Sequence, residues 1–290
     1  MELARTLGVL CEAPAPEHVA LASALGLPAP DPEEWTRVFV LELPPYASIY
    51  LDVEGMIGGE ARERVTGFWR ALGLAPPAEP DHLASLLGLY AAIAEAERDQ
   101  AGPARRTLYR EARAALLWEH LASWLPVYLD AVEALPGDAY SAWALLLREA
   151  LADEAARLAQ PAASPAQLRA VPPLTLDAGA GLDELVGALL VPVLTGFVLA
   201  PADLARAARE LGLGLRLGER RTVLRTLLAQ DPAGTCRWLA TEARRRAARP
   251  MPPWLASEIA RFWTDRAAAA AVLLSGLAVA ADRMEVSHVG

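Results

Sequence analysis

Chemistry in a protein needs a nucleophile with a base, paired acids in a pocket, or metal ligands at close spacing. In these 290 residues the nearest approach to such a set is Glu79, Pro80, Asp81, His82 and Leu83, where a loop meets an apolar periodic run. Asp81 is placed to cap the free amides of the helix start, Pro80 stiffens the approach, and His82 offers an imidazole at the loop surface. Two readings stay open. One is a capped helix and nothing more; the other is that Glu79 and Asp81 accept guanidinium groups of a bound peptide, since a planar guanidinium pairs well with a carboxylate.

Two further clusters carry side chains of interest. Trp118, Glu119, His120, Leu121 and Trp124 include three residues, His120, Leu121 and Trp124, at spacings that share a helical face. A histidine on an apolar face reads as a hydrogen-bonded core residue. Pro44, Pro45, Tyr46, Ser48 and Tyr50 suggest an extended approach to a turn or helix, with aromatics that either line a groove or plug the core.

Other chemistries lack their residues. The chain has no lysine, so no GxxxxGK phosphate loop exists, and Gly58, Gly59, Gly212, Gly214 and Gly218 read as helix stops and turns. Cys11 and Cys236 are too far apart in sequence for a zinc knuckle or redox pair, and His18, His82, His120 and His288 are scattered. No cofactor and no metal are expected. The net charge of −9 favours a cationic peptide over nucleic acid. No secretory signal is visible around Glu2 and Arg5, so a cytoplasmic location is expected. The uncharged stretch Leu185 to Ala202 nears membrane-span length, but Pro192, Thr195, Gly196 and Pro201 interrupt it, which predicts a broken buried helix.

The elements that must position these residues are helices. Apolar residues make up 54% of the chain and aromatics 6%, a composition of Leu, Ala and Val suited to packed helices. Three stripes recur at a spacing of three and four: Leu83, Leu86, Leu87, Tyr90, Ile93, Ala94; Leu117, Leu121, Trp124, Leu125, Tyr128, Leu129, Val132; and Tyr140, Trp143, Leu146, Leu147, Ala150, Leu151. Pro76, Pro77, Pro80, Pro136 and Gly137 punctuate them, and Pro126 predicts a kink or break inside the second. The fold class is therefore all-α. We divide it into a helical domain over 1–160, a Pro/Gly-rich linker over 161–180 and a helical region over 181–290. Within the last, helices are predicted over 201–211, 218–229, from Asp231 and Pro232 to about Ala248, and over roughly 253–283.

The motifs acquire order when taken together. Pro45-Tyr46-Ala47-Ser48-Ile49-Tyr50, Val65 to Trp69 with Gly73, Pro80-Asp81-His82-Leu83-Ala84, and Leu117-Trp118-Glu119-His120-Leu121 with Trp124-Leu125-Pro126 resemble the pattern of the TorD/DmsD/NarJ family over roughly Val38 to Glu154. Ala47, Leu86 and Gly88 stand where similar sequences commonly carry acids. The resemblance implies an all-helical TorD-like bundle that is not an enzyme. It implies a chaperone binding the apo catalytic subunit of a molybdenum-cofactor oxidoreductase, through its twin-arginine signal peptide, until cofactor insertion and assembly are complete. It places peptide contacts at Pro80, Asp81 and His82, with Glu79 beside them; Tyr46, Tyr50 and Trp69 are additions from motif position and side-chain type. No nucleic acid or membrane partner is implied, and a homodimer is left open. Two alternatives remain: a helix-turn-helix regulator using 203–228 with Arg216, Arg220, Arg221 and Arg225, and an assembly factor that holds subunits without reading a signal peptide.

Overall fold

The computed structural model describes residues 2–176, 181–215 and 218–289, with side chains through residue 284. Its elements are helical throughout the described residues, joined by an isolated antiparallel bridge between Tyr46 and His82. Contacts divide the chain into two compact units: residues 1–170 with 251–259, and residues 171–250 with 260–290.

The first unit contains α1 (Glu2–Val9), α2 (Pro16–Ala24), α3 (Pro32–Trp35), α4 (Ala47–Leu51), α5 (Gly59–Ala71), α6 (Leu83–Asp99), α7 (Pro103–Ala115), α8 (Leu125–Glu133), α9 (Ala139–Ala155) and α10 (Ala166–Ala170). α6 is its axis, because the first sequence stripe is buried: Leu83, Leu86, Leu87, Tyr90, Ile93 and Ala94 all turn inward. α1 lies close on it. A side chain at Gly8 would meet Leu87 and the Ala84 carbonyl at 3.1 and 3.3 Å, so glycine sets how near the two backbones come.

Two π-helical turns, Thr36–Glu42 and Leu116–Leu121, extend α3 and α7. Their five-residue bonds, Leu43 N to Val38 O and Ala122 N to Leu117 O, add a residue to the turn and rotate the chain beyond it. The second stripe is thus buried but not continuous. The π turn ends at Leu121, and α8 starts afresh at Leu125 with Pro126 in its first turn, where the missing amide costs nothing. Aromatic rings fill the resulting core: Tyr50 stacks on Trp124, Trp124 donates to His120 O, Tyr128 to Leu43 O and Trp143 to Leu7 O, whereas the buried Tyr140 hydroxyl has no hydrogen-bond partner.

The chain stays with this unit longer than the sequence division at residue 160 suggests. α10, inside the expected linker, is anchored by Ala166 N to Glu119 and by Gln167 to Glu119 O and Ser123 Oγ. Residues 177–180 of that linker, Gly179 among them, lie outside the described residues.

The second unit holds α11 (Leu182–Leu189), α12 (Pro192–Thr195), α13 (Pro201–Leu211), α14 (Arg220–Gln230), α15 (Pro232–Ala248) and most of α16 (Ser257–Val289). Its core is Leu- and Ala-rich, with Val186, Leu189, Leu204, Leu224, Leu227, Leu239 and Leu274 at its centre. The uncharged stretch 185–202 is divided between α11, α12 and a turn, and spans nothing as one helix. Among the described residues one helix, Ser257–Met284, is long and apolar enough to cross a membrane; 28% of its apolar window is buried, on the face that packs into this unit.

Gly196 closes α12 at φ 80°, and a side chain there would collide with the backbone of Arg266 and Ala267. Gly196→Ala is expected to destabilise the second unit by about 2 kcal/mol or more, from strain and collision together. Gly88→Ala, in α6 with nothing within 4 Å of the added methyl, is expected to stabilise the protein by up to about 1 kcal/mol through helix propensity. Urea unfolding of the two variants checks both signs.

Candidate peptide-binding corner

The corner is built where two short chain segments cross. Ala47 N donates to Asp81 O at 3.0 Å and Leu83 N to Pro45 O at 2.9 Å, forming the Tyr46–His82 bridge. α4 begins at Ala47 with Tyr46 as its cap residue, which has no side-chain oxygen able to reach back. Asp81 supplies it from 33 residues away. Its Oδ2 accepts Ser48 N at 3.2 Å and Ser48 Oγ at 2.6 Å, and Gly58 N in turn donates to Ser48 Oγ at 3.2 Å.

This corrects the sequence reading of Asp81. It does not cap the helix that begins just after it. His82 does, its Nδ1 accepting Ala84 N at 3.2 Å. That bond requires a neutral imidazole with its proton on Nε2, and burial lowers the His82 pKa, with Glu79 opposing more weakly. The ring is half-buried against Tyr46, edge to face at 4.9 Å, instead of standing free at the surface. The Tyr46 hydroxyl is pushed up to about 12, first by burial and then by its bond to Glu79.

The expected pair of open carboxylates is therefore unequal. Asp81 is 0% exposed and Pro80 is buried, whereas Glu79 is exposed. Asp81 Oδ1 has no hydrogen-bond partner; the nearest cation is Arg62, whose Nε stands 3.9 Å away while its Nη2 donates to Ala78 O at 2.8 Å. At that distance the pair is electrostatic and not hydrogen-bonded.

A second borrowed cap completes the corner. Asp52 accepts Glu54 N and Ala61 N, capping α5 in place of Gly58, and a side chain at Gly59 would strike the Asp52 carboxylate. The loop between is pinned at both ends, and its tip shows Met56 and Ile57 at 62% and 59% exposure, with Val53 beside them. The structure thus brings together Tyr46, Glu79, Pro80, Asp81 and His82 with Ser48, Arg62 and this apolar loop. It does not bring Tyr50 to the same surface. Tyr50 is a core residue that donates to Pro44 O, and Trp69 lies about 10 Å beyond Arg62 along α5, half-buried with an unpartnered indole nitrogen. Sequence reasoning missed Asp52, Arg62, Met56 and Ile57; the cluster of apolar residues between glycines in Val53 to Gly59 was the available signal.

The remaining clusters resolve as structure. His120 is 8% exposed, packs on Phe68 at 5.1 Å, and is lowered to about 4 by burial and then by Arg64. Cys11 and Cys236 are buried free thiols. No group of metal ligands occurs among the described residues. In the segment read as a helix-turn-helix, Arg220 donates to Leu199 O, Arg221 to Asp183 O, and Arg225 pairs with Asp183 at 2.8 Å, so these arginines serve their own unit; Arg216 lies outside the described residues.

In comparison with known proteins, residues 32–130 match the family described as nitrate reductase delta subunit. The stretch runs from α3 into α8 and contains the whole corner. The resemblance to TorD/DmsD/NarJ proteins is borne out over that stretch, and the family consists of molybdoenzyme assembly chaperones, not catalysts. No curated protein matches the chain.

Asp81→Ala strands two buried donors on Ser48 and is expected to cost about 3 kcal/mol, read by urea unfolding. For His120 the folded pKa lies below the unfolded 6.5, so the unfolded chain binds the proton more readily between about pH 4 and 6.5. Stability should be full above pH 6.5 and fall toward pH 4 by up to about 3 kcal/mol. His120→Phe should flatten that slope.

Proposed function

Taking the family match of residues 32–130 as premise, we propose that this chain is a cytoplasmic maturation chaperone for a molybdenum-cofactor oxidoreductase. It binds the apo catalytic subunit through a basic and apolar segment, the twin-arginine signal peptide, and holds it for cofactor insertion and assembly before export. The position of the corner inside the matched stretch carries this reading. Glu79 offers an exposed carboxylate, the half-exposed rings of Tyr46 and His82 flank it, and Val53, Met56 and Ile57 stand on a loop fixed to the same Ser48 that holds Asp81.

That combination suits a segment with arginines followed by apolar residues. A guanidinium gains a charge-assisted bond at Glu79 and an aromatic face at Tyr46, while the apolar part covers Met56 and Ile57. The net charge of −9 adds a long-range pull on a basic segment, strongest at low salt. Asp81 acts behind the surface by holding the shape, and the protein performs no chemistry on its client.

Isothermal titration of the full chain with twin-arginine peptides, and pull-down of the apo and mature enzyme, test the proposal. Glu79→Gln is expected to weaken an arginine-containing peptide about five- to tenfold, with the loss shrinking as salt rises. Met56→Ser, which removes apolar surface and adds no charge, should weaken binding by a similar factor at all salt concentrations. Both leave the fold unchanged because the side chains are exposed, whereas Asp81→Ala confounds binding with stability. Binding of neither peptide nor apo-enzyme would end the reading. Equal capture of apo and mature enzyme, with no peptide binding, would point to an assembly factor that reads no signal.

A further inference from the structure

A cleft of about 330 Å³ runs between α13 and α15, wholly within the second unit and outside the matched stretch. Arg206 meets Glu242 at 3.2 Å and Glu210 meets Trp238 at 2.6 Å, so the two helices line it in antiparallel order. That order gives the cleft two unlike ends. Glu210 and Asp231 belong to one, Arg206, Thr241 and Arg245 to the other, and Trp238 and Leu211 supply apolar wall. Thr241 and Arg245 stand four residues apart on α15, so they share a side of the helix.

The donors at the basic end are held in place from below. Glu242, 5% exposed, accepts Arg206 at 3.2 Å, Arg245 at 3.4 Å and Arg246 at 3.2 Å. Burial pushes its carboxyl up, but Arg246 and Arg206 outweigh burial and hold it below the usual value, so it stays ionised. One carboxylate facing three guanidinium groups leaves positive charge uncompensated here, even with Asp203 set against Arg206. Arg206 also lies over the Trp238 ring at 4.7 Å, which fixes it as a wall. Arg245 is different. Its side chain is 67% exposed, and among the described residues its hydrogen bond is the long one to Glu242, so most of its N–H donors are unengaged. At the other end Glu210 accepts Trp238 Nε1 and Asp231 caps α15 through Gly234 N. The surroundings agree in sign: the second unit carries more arginines than acids, whereas the first has nearly twice as many acids as arginines.

We infer that this cleft binds a small organic phosphate. The phosphate group sits at the basic end, between the guanidinium groups of Arg245 and Arg206, with the Thr241 hydroxyl able to turn toward it from the Arg237 carbonyl. The organic body covers Trp238 and Leu211, and hydroxyl or amino groups at its far end donate to Glu210 and Asp231. The order of charges selects a small molecule over a polyanion. A nucleic acid or an acidic peptide would carry its next negative group onto Glu210 and Asp231, where like charges repel. The volume agrees, lying at the lower end of the range of about 300 to 1,000 Å³ usual for small-molecule sites. The cleft shares no residue with the peptide-binding corner, so the two assignments stand or fall separately.

Isothermal titration of the full chain with phenyl phosphate and with inorganic phosphate tests this. Phenyl phosphate should bind with a dissociation constant of about 1 mM or lower, and about threefold or more tightly than inorganic phosphate because its ring covers Trp238. Binding should strengthen as pH rises through about 6, where a phosphate ester gains its second charge. Arg245→Gln should weaken binding about tenfold. Arg245→Lys should recover part of the loss, since an ammonium lacks the planar fork of donors. Both variants should keep the wild-type urea midpoint, because the side chain is exposed. Arg105→Gln, at an exposed position of α7 in the first unit, should leave binding unchanged. No binding of phenyl phosphate up to about 10 mM, binding indifferent to Arg245→Gln, or an equal loss in Arg105→Gln would each overturn the inference. Displacement of phenyl phosphate by a lower concentration of hexaglutamate would also overturn it, by assigning the cleft to an acidic protein segment.

Discussion

The bond between the Asp81 carboxylate and Ser48 joins segments that no local rule would bring together. Asp81 sits at the end of the loop before α6, Ser48 in the first turn of α4, and Gly58 at the end of the loop that displays Met56 and Ile57. A buried carboxylate is costly unless hydrogen-bonded or paired, so its burial is tolerable only while Ser48 and Arg62 remain where they are. α4 is five residues long and could not persist as an isolated helix. Its start is stabilised by a charge borrowed from elsewhere, which makes the helix, the loop and the head of α6 one mechanical piece. The rings of Tyr46 and His82 are fixed by the same backbone crossing.

How far the sequence revealed this depends on whether the controlling interaction is local. The stripe on α6 was legible because 3.6-residue periodicity survives wherever a helix packs one face, and Pro126 announced the break before α8 because a proline is tolerated only in a first turn. Asp231 and Pro232 likewise begin α15, with Asp231 accepting Gly234 N. Capping grammar failed at Asp81 for the same reason that it worked at Asp231. It looks three residues ahead, and Asp81 bonds 33 residues back. The π turns were equally hidden, since an extra residue in a helical turn leaves the composition of the segment unchanged. Tyr50 had the residue type of a groove aromatic, but only coordinates show its ring stacked on Trp124 inside the core.

Arginine supplies every basic side chain of this protein except histidine, and its placement shows what a guanidinium can do that an ammonium cannot. Arg148 reaches Asp130 and Glu133 together, Arg206 bridges Asp203 and Glu242 while lying over the Trp238 ring, and Arg225 and Arg221 bind the side chain and carbonyl of Asp183. Planar donors with several N–H groups tie neighbouring helices at two points at once. These uses consume the local positive patches that a sequence scan would assign to nucleic acid. The excess charge is acidic, and of the two acids in the Glu79–His82 motif the exposed one is Glu79.

The matched stretch 32–130 is part of a larger compact unit, residues 1–170 with 251–259. α6 is covered by α1, which precedes the stretch, and Tyr90 on α6 bonds Glu154 on α9, which lies beyond it. Trp143 of α9 donates to Leu7 O of α1, so two flanking helices hold each other as well as the matched core. The Tyr50, Trp124 and Tyr128 rings pack on one another inside the stretch and are buried. In this chain the order of Tyr46, Ser48, Pro80, Asp81 and His82 follows the family pattern, and the bond between Asp81 and Ser48 lies at the head of a helix, α6, that is packed by α1 and bonded to α9 outside the matched stretch.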